Sequence, residues 1–250
     1  MTDFFVVVPA YQEADSIGAT LAALAAQIDL DFSLVVVDNG STDGTADVVR
    51  GFAAPFPVFV VDEPAPGAGT AADTGFRFAI ERGATRIART DADCVPDRAW
   101  IAVAKAALDA GAEFVCGRSV VRRDERPTWA ERHVYPAAVR VAALYGRFRS
   151  AHRGPEFRTP YVLCHGHNLA VTADLYLRCG GFPRVPLDGP PDDVELLNRA
   201  RRHTSRVMRA ESMVVGTSLR RLRAWGPRRL LLWLWDRRYR PADPHVRVLP

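Results

Sequence analysis

Ile87-Ala88-Arg89-Thr90-Asp91-Ala92-Asp93-Cys94-Val95-Pro96 is the stretch on which the fold and the chemistry turn. Its apolar start reads as the end of a buried strand, and two carboxylates follow at once. Carboxylates at i and i+2 of an extended segment point the same way. In a loop just past a strand they can share one cation. Hard oxygen ligands suit Mg²⁺ or Mn²⁺, which in turn bind phosphate oxygens. An Asp-X-Asp alone is common on protein surfaces, and its plainer reading is two aspartates capping a helix near residue 97. The surrounding sequence decides between the two.

Upstream, strand and helix patterns alternate. Residues 4–9 read as a buried strand, and 14–27 as a helix with Ile17, Leu21 and Leu24 on one face. A second strand covers 34–37, and Ser41-Thr42-Asp43-Gly44 turns into a helix near 45–53. A third strand covers 58–61, Gly67 and Gly69 precede a helix over 71–82, and a fourth strand over 84–90 ends at the Asp-X-Asp. This alternation predicts an α/β fold: a Rossmann-like, mainly parallel sheet with right-handed crossovers, flanked by helices. Ligands of such sheets bind beyond the carboxyl ends of the strands. Asp38 and Asp91 both fall at such ends. Downstream, a helix over 97–110 and a strand over 113–118 continue the pattern. Residues 120–160 are less regular, with a helix near 129–147; a short helix follows 164–171, and another covers 193–202. No repeat, linker or boundary divides residues 1–250, so one domain is expected.

The bulk composition sets outer limits. A chain of 250 residues with 48% hydrophobic and 25% charged side chains can bury a full α/β core. No apolar run reaches the roughly 20 residues that span a bilayer, and the N-terminus enters a strand without a signal-like segment. A cytoplasmic location is the expectation. Cys94, Cys116, Cys164 and Cys179 are scattered with no Cys-x-x-Cys, which argues against a disulfide or metal framework. Of the 33 Lys and Arg residues, Lys105 alone is lysine, and the arginines crowd the second half. They read either as a solvated surface or as contacts to anions such as a nucleotide diphosphate, an anionic acceptor or lipid head groups. No nucleic-acid partner is expected. The apolar and basic run within residues 222–239 reads as packing or subunit pairing first, and as peripheral contact with a membrane surface second.

Four features occur in a telling order. They are the Phe4-Phe5-Val6-Val7-Val8-Pro9-Ala10-Tyr11-Gln12-Glu13 start, the Leu34-Val35-Val36-Val37-Asp38-Asn39-Gly40-Ser41 unit, the Asp91-Ala92-Asp93 triplet and the Asp192-Asp193 pair. Together they resemble the family 2 glycosyltransferases of the GT-A fold, over nearly the whole chain. The resemblance implies a nucleotide-sugar-binding half over 1–118, an acceptor half over 119–216 and a basic amphipathic segment over 217–250. It implies that Pro9, Ala10, Tyr11 and Glu13 line the nucleotide pocket, that Asp38 holds the base and that Asp91 meets the ribose. It makes Asp93 the ligand of Mg²⁺ or Mn²⁺ and Asp193 the general base. Plainer readings stand beside these: Tyr11 as a core aromatic, Asp38 as a turn residue and the Asp192-Asp193 pair as a helix cap.

Further positions follow from the same resemblance. His165, His167, Asn168 and Asp192 flank the acceptor pocket, and Arg220 or Arg221 closes on the diphosphate. Ala72-Asp73 departs from the family's Arg-Asn at that place in the Gly67–Gly75 loop, so a basic contact to the nucleotide is missing. The implied activity is metal-dependent, inverting transfer of a sugar from a UDP-hexose, with a GDP-sugar next, to an acceptor hydroxyl the sequence does not name. A retaining transferase of the same fold, a nucleotidyltransferase and a silent sugar-nucleotide-binding protein are the alternatives.

Overall fold

Alternate residues of the first strand part to two sides. Phe4, Val6 and Val8 enter one apolar cluster, and Phe5 and Val7 enter another, as the period-two geometry of an extended chain requires. The computed structural model describes residues 2–148, 153–184, 192–220 and 223–224. Among these an eight-stranded sheet runs in the order β3 (Val58–Asp62), β2 (Ser33–Asp38), β1 (Phe4–Ala10), β4 (Arg86–Arg89), β7 (Leu169–Thr172), β6 (Phe114–Val121), β8 (Val207–Thr217), β5 (Val95–Pro96).

Helices cover both faces. Ile17, Leu21 and Leu24 of α1 (Ile17–Ala25) and Trp100, Ile101 and Ala104 of α4 (Trp100–Asp109) pack on the first face. On the other lie Phe76 and Ala79 of α3 (Ala68–Glu81), Leu175 and Tyr176 of α6 (Ala173–Arg178), and Leu196, Leu197 and Ala200 of α7 (Asp192–His203). The short α2 (Thr45–Arg50) follows β2. The long α5 (Trp129–Phe148) starts with a reciprocal cap: Glu131 Oε2 accepts from the Thr128 amide at 2.7 Å, and Thr128 Oγ1 accepts from the Glu131 amide at 3.2 Å.

The sheet is more mixed than the strand–helix alternation predicts. β1, β2, β3 and β4 pair in parallel, and so do β6 and β8. β7, however, runs antiparallel to both β4 and β6, and β5 runs antiparallel to β8. β7 and β8 lie in stretches with little alternating apolar pattern. β8 shows the burial sequence of a strand half covered, with Arg209 and Glu211 among its residues, and its register with β6 shifts between Gly117 and Arg118. α3 begins at Ala68, ahead of the expected residue 71, because Gly67 at φ 135° turns the chain into it directly. Among the described residues no helix is long and apolar enough to cross a membrane. Arg221 and the tail, apart from residues 223–224, lie outside the described residues, so the subunit-pairing and membrane readings do too.

Candidate active site

The parallel half of the sheet sets three strand ends side by side. Ala10 at the end of β1 pairs with Asp38 at the end of β2, and β1 pairs on its other side with β4, which ends at Arg89. The loops leaving these ends are tied together. The Gln12 backbone, at a left-handed φ of 53°, donates to Ser41 Oγ at 3.0 Å. The Glu13 amide donates to Thr45 Oγ1 at 2.9 Å, and the Ala14 amide to Asp43 Oδ2 at 3.0 Å. Pro9 and Ala10 are buried at the strand end, while Tyr11 is half-buried in the loop. Asp38 is buried, and its Oδ1 accepts from the Ser41 amide at 3.1 Å. The turn reading of Asp38 therefore holds as a structural fact beside any base contact. Asn39 clips the next loop in place: its side chain donates to the Glu63 and Ala65 carbonyls at 2.7 Å each and accepts from the Gly67 amide at 2.9 Å.

Arg89 joins the two acidic motifs. It is 2% exposed at the end of β4, and its Nη1 donates to Asp192 Oδ2 at 2.8 Å, while its Nε lies 3.3 Å from Asp91 Oδ1. Burial works against its charge, but Asp91, Asp192 and Asp193 outweigh that and hold its pKa above the ordinary arginine value. Asp193 sits beside Asp192 in the first turn of α7. Its Oδ2 accepts from the Gly166 amide at 3.0 Å and its Oδ1 from the Val194 amide at 2.8 Å. Gly166 lies between the two systems: a Cβ there would meet Arg89 Cζ and Asp193 Cβ at 3.4 Å each. The start of α3 closes the other side, where a Cβ on Gly69 would come within 2.9 Å of Asp192 Cβ.

A second arginine bridges from the far end of the chain. Arg220 Nη2 donates to Glu13 Oε1 at 2.6 Å and to Asp93 Oδ2 at 3.0 Å. Burial disfavours its charge, yet Glu13 and Asp93 more than offset this and raise its pKa. Burial pushes the Glu13 pKa up, against the pull of Arg220. Arg122 supports the same loop from below, its Nη1 donating to the Asp93 carbonyl at 2.8 Å. Cys94, next in sequence, is buried, and burial together with Asp93 and Asp91 keeps its thiol protonated. It is therefore no nucleophile.

The structure brings Asp91, Asp93, Asp192, Asp193, Glu13 and Arg220 into one connected acidic and basic cluster. His165 and His167 flank it through Gly166; their rings stack at 5.2 Å, and His167 Nε2 lies 2.7 Å from Ser119 Oγ. Asn168 is placed differently from its expected position at the acceptor pocket. It is fully buried, its Oδ1 accepting from Trp100 Nε1 at 2.9 Å and its Nδ2 donating to the Arg118 and Met213 carbonyls at 2.9 and 3.0 Å. It braces β6, β8 and α4 and has no amide group to spare for a ligand. Asp73, in the part of α3 that lacks the family's arginine, is buried beneath Tyr176, whose hydroxyl donates to Oδ1 at 2.7 Å, and takes Arg77 Nε at 2.8 Å. Arg184 then reaches Thr74 at 2.9 Å and Glu63 at 2.8 Å from the α6–α7 connection.

The donor set of this cluster fits a hard divalent cation. Asp91 and Asp93 offer carboxylate oxygens with side chains 35% and 26% exposed. Among the described residues no three His, Cys, Asp or Glu side chains converge on one point. Mg²⁺ is commonly held by one or two carboxylates, with water and phosphate oxygens completing its shell.

Comparison with known proteins gives a consistent family. The model of glycosyl transferase family 2 matches residues 5–175. An uncharacterised glycosyltransferase of Mycobacterium tuberculosis is 36% identical over 150 residues, 60% of this chain and 61% of that protein. Glycosyltransferase AglE of Haloferax volcanii is 28% identical over 200 residues, 78% of this chain and 60% of that one. The chain thus spans about 60% of the length of these relatives. Among solved structures, a mannosyltransferase of Pyrobaculum calidifontis in complex with GDP-Man and Mn²⁺ superposes with a TM-score of 0.61 at 26% identity, over 86% of this chain and 56% of that one. TarS of S. aureus in complex with UDP-GlcNAc superposes with a TM-score of 0.60 at 16% identity, over 87% and 58%, a likeness of fold.

Proposed function

From the premise that this chain belongs to glycosyl transferase family 2, we propose that it moves a sugar from a nucleotide-diphosphate donor to an acceptor hydroxyl with inversion. The observation that carries this is the Arg89 bridge. It holds Asp91 and Asp192 together across the sheet while Gly166 fixes Asp193 beside them.

The knitted loops after β1 and β2 frame the nucleotide, with Tyr11 to pack on the base and Asp38 to accept from its N–H groups. Asp91 meets the ribose. Asp93 holds Mg²⁺ or Mn²⁺, which when bound neutralises charge on the departing diphosphate. Arg220 is positioned to take up phosphate oxygens when it leaves Glu13 and Asp93, since a guanidinium fork matches them. Asp193 takes the proton of the acceptor hydroxyl as that oxygen attacks the anomeric carbon. One base and one leaving group make a single in-line displacement. The donor is a UDP-hexose in this reading. GDP-mannose is the second choice, favoured by the GDP-Man held by the archaeal mannosyltransferase.

A thermal-shift screen of UDP, GDP and their sugars, with and without Mn²⁺, tests the donor half, because a ligand of the folded state raises its melting temperature. Asp193→Asn tests the chemistry. Asparagine keeps an oxygen for the Gly166 amide but takes no proton, so transfer should fall roughly 10²–10⁴-fold with donor affinity unchanged. A fully active Asp193→Asn protein removes the base assignment, and a dead Asp192→Asn beside it moves the role one residue upstream.

A further inference from the structure

The long helix α5 turns its described apolar side chains outward. Of the ten large apolar side chains that are exposed among the described residues, five lie on it. They are Trp129, Val134, Val141, Leu144 and Phe148, each between 55% and 74% exposed. None of the described side chains of α5 joins either apolar cluster of the core. Val134, Ala137, Val141, Leu144 and Phe148, all exposed, succeed one another at steps of three, four, three and four residues. That spacing sets them on one stripe of a helix. The stripe runs about 21 Å from Val134 to Phe148. A contiguous apolar stripe on a surface marks an interaction face.

Charge restricts what can cover it. Trp129, His133 and Arg140 are exposed along one flank of the stripe, and the Trp129 and His133 rings lie 5.1 Å apart. The one acidic residue of the helix, Glu131, already takes Arg223 Nε at 2.9 Å and the Thr128 amide at 2.7 Å. Two copies packed through this face would add their positive charges, and the helix holds no second acid to offset them. The complement of the face is therefore apolar at its centre and negative at its edge. An anionic lipid surface has that composition, and tryptophan and arginine favour its interfacial zone. The chain also brings a second segment of like composition to the same corner. The Leu219 amide donates to Glu125 Oε2 at 2.8 Å, and Arg223 Nη2 to the Glu125 carbonyl at 3.1 Å. The described chain thus runs to the first turn of α5, and the sequence that follows, Trp225 to Trp235, is rich in Leu, Trp and Arg.

We propose that the outer face of α5 docks on an anionic lipid surface. Val134, Val141, Leu144 and Phe148 enter the boundary between head groups and acyl chains, and Trp129, His133 and Arg140 meet the head groups. A helix with an apolar stripe and a basic flank lies in the plane of such an interface. Attraction to the lipid charge adds to the burial of the stripe. Docking stands apart from the transferase reading, and its test uses no sugar donor.

Co-sedimentation of the intact chain with phosphatidylcholine vesicles, with and without phosphatidylserine, tests this. The protein should sediment with the phosphatidylserine vesicles and far less with phosphatidylcholine alone. Raising the salt to ~1 M, where the Debye length is about 3 Å, should cut binding severalfold. Val141→Glu combined with Leu144→Glu should weaken it about tenfold or more, since the two apolar side chains are no longer there to be withdrawn from water. Trp129→Ala should weaken it severalfold. Arg140→Ala should weaken it about fivefold, the share of one cation near a charged surface, and Arg140→Lys should bind like the parent. All four positions are exposed, so circular dichroism and melting of the variants should match the parent's. Absence of sedimentation with phosphatidylserine vesicles at low salt overturns the proposal. Undiminished binding by the double glutamate variant also overturns it and moves the contact to another segment, the tail included. A solution dimer that this variant dissociates, in a parent that ignores vesicles, gives the face to a second copy instead. Retention on immobilised polyglutamate without vesicle binding gives it to an acidic protein.

Discussion

Replacing Arg89 by methionine puts the central bridge to the test. Methionine keeps much of the side-chain volume and removes the charge between Asp91 and Asp192. At an effective dielectric near 20, two unit charges about 4 Å apart interact by about 4 kcal/mol. Removing one partner of a buried pair costs about 3–5 kcal/mol, because the other is left uncompensated. Arg89 is buried, but the Asp91 and Asp192 side chains keep 35% and 25% exposure, so the lower figure applies, about 3 kcal/mol. For a chain of this size each kcal/mol moves the melting temperature by about 2–4 °C, so Arg89→Met should melt about 6–12 °C lower. Salt should change that deficit little, since the bridge is shielded from mobile ions. Arg89→Lys should fall between parent and Arg89→Met, because one ammonium replaces a two-sided fork. Denaturation of the Arg89→Met, Asp192→Asn and double variants gives the coupling energy, expected at about 1–3 kcal/mol for groups in contact. A coupling under about 0.5 kcal/mol, or a melting point within about 1 °C of the parent, would refute the bridge as the element joining the two motifs.

Other perturbations separate site from scaffold. Asp93→Ala should abolish the gain in nucleotide affinity that Mn²⁺ confers, measured by calorimetry with and without chelator; equal affinities in the parent would remove the metal role. Asn168→Ala leaves the Trp100 indole N–H and the Arg118 and Met213 carbonyls without their partner. At about 1–3 kcal/mol for each stranded group, a loss of about 3 kcal/mol or more is expected in denaturant titration, and a loss under about 1 kcal/mol contradicts the bracing role. Glu131 is held down to about 2 by Arg223 first and by the Thr128 amide. A depressed carboxylate contributes stability that is present above its unfolded pKa and lost as the pH falls through its folded one. Glu131→Gln should therefore lower the melting temperature at pH 7, and the difference from the parent should shrink between pH 4.5 and about 2. A difference that persists unchanged at the acid end would count against the ion pair.

Much of the left half of the sheet could be read from the residues in order. Val6, Val7 and Val8, and Val35, Val36 and Val37, are continuous apolar runs that are buried on both faces, so each announces a parallel strand without ambiguity. The turn chemistry of Ser41 to Thr45 announces the loop that ties to Gln12 and Glu13. The right half is quieter. β7 has four residues between a polar turn and α6, too short for its period to register. β8 carries Arg209, half-buried, and Glu211, exposed, and its pairing with β6 jumps from Ala210 to Val214, which breaks the alternation that would mark it. The sheet is mainly parallel, as expected, and its antiparallel pairings gather at β5 and at β7, which takes the place beside β4 that a further parallel strand would hold.

The candidate site divides along the same line, between what spacing carries and what only contact reveals. Asp91, Asp93, Asp192 and Asp193 stand out as motif residues through their order and spacing behind the two strand starts, since singly each has the plainer reading of a helix cap. Arg89 does not stand out. It closes β4 after Ile87 and Ala88, and its partner Asp192 is 103 positions away. The usable signal was chemical: a guanidinium inside a buried strand must be paired, and the nearest acid in sequence was Asp91. That argument finds one partner and cannot find the second, because Asp192 reaches Arg89 only when the start of α3, at Gly69, packs against the start of α7. Asn168 shows the converse. Its place in a polar His-Gly-His-Asn run suggests a ligand contact, yet the carbonyls and indole it serves come from β6, β8 and α4, so its role is decided by three elements absent from the run itself.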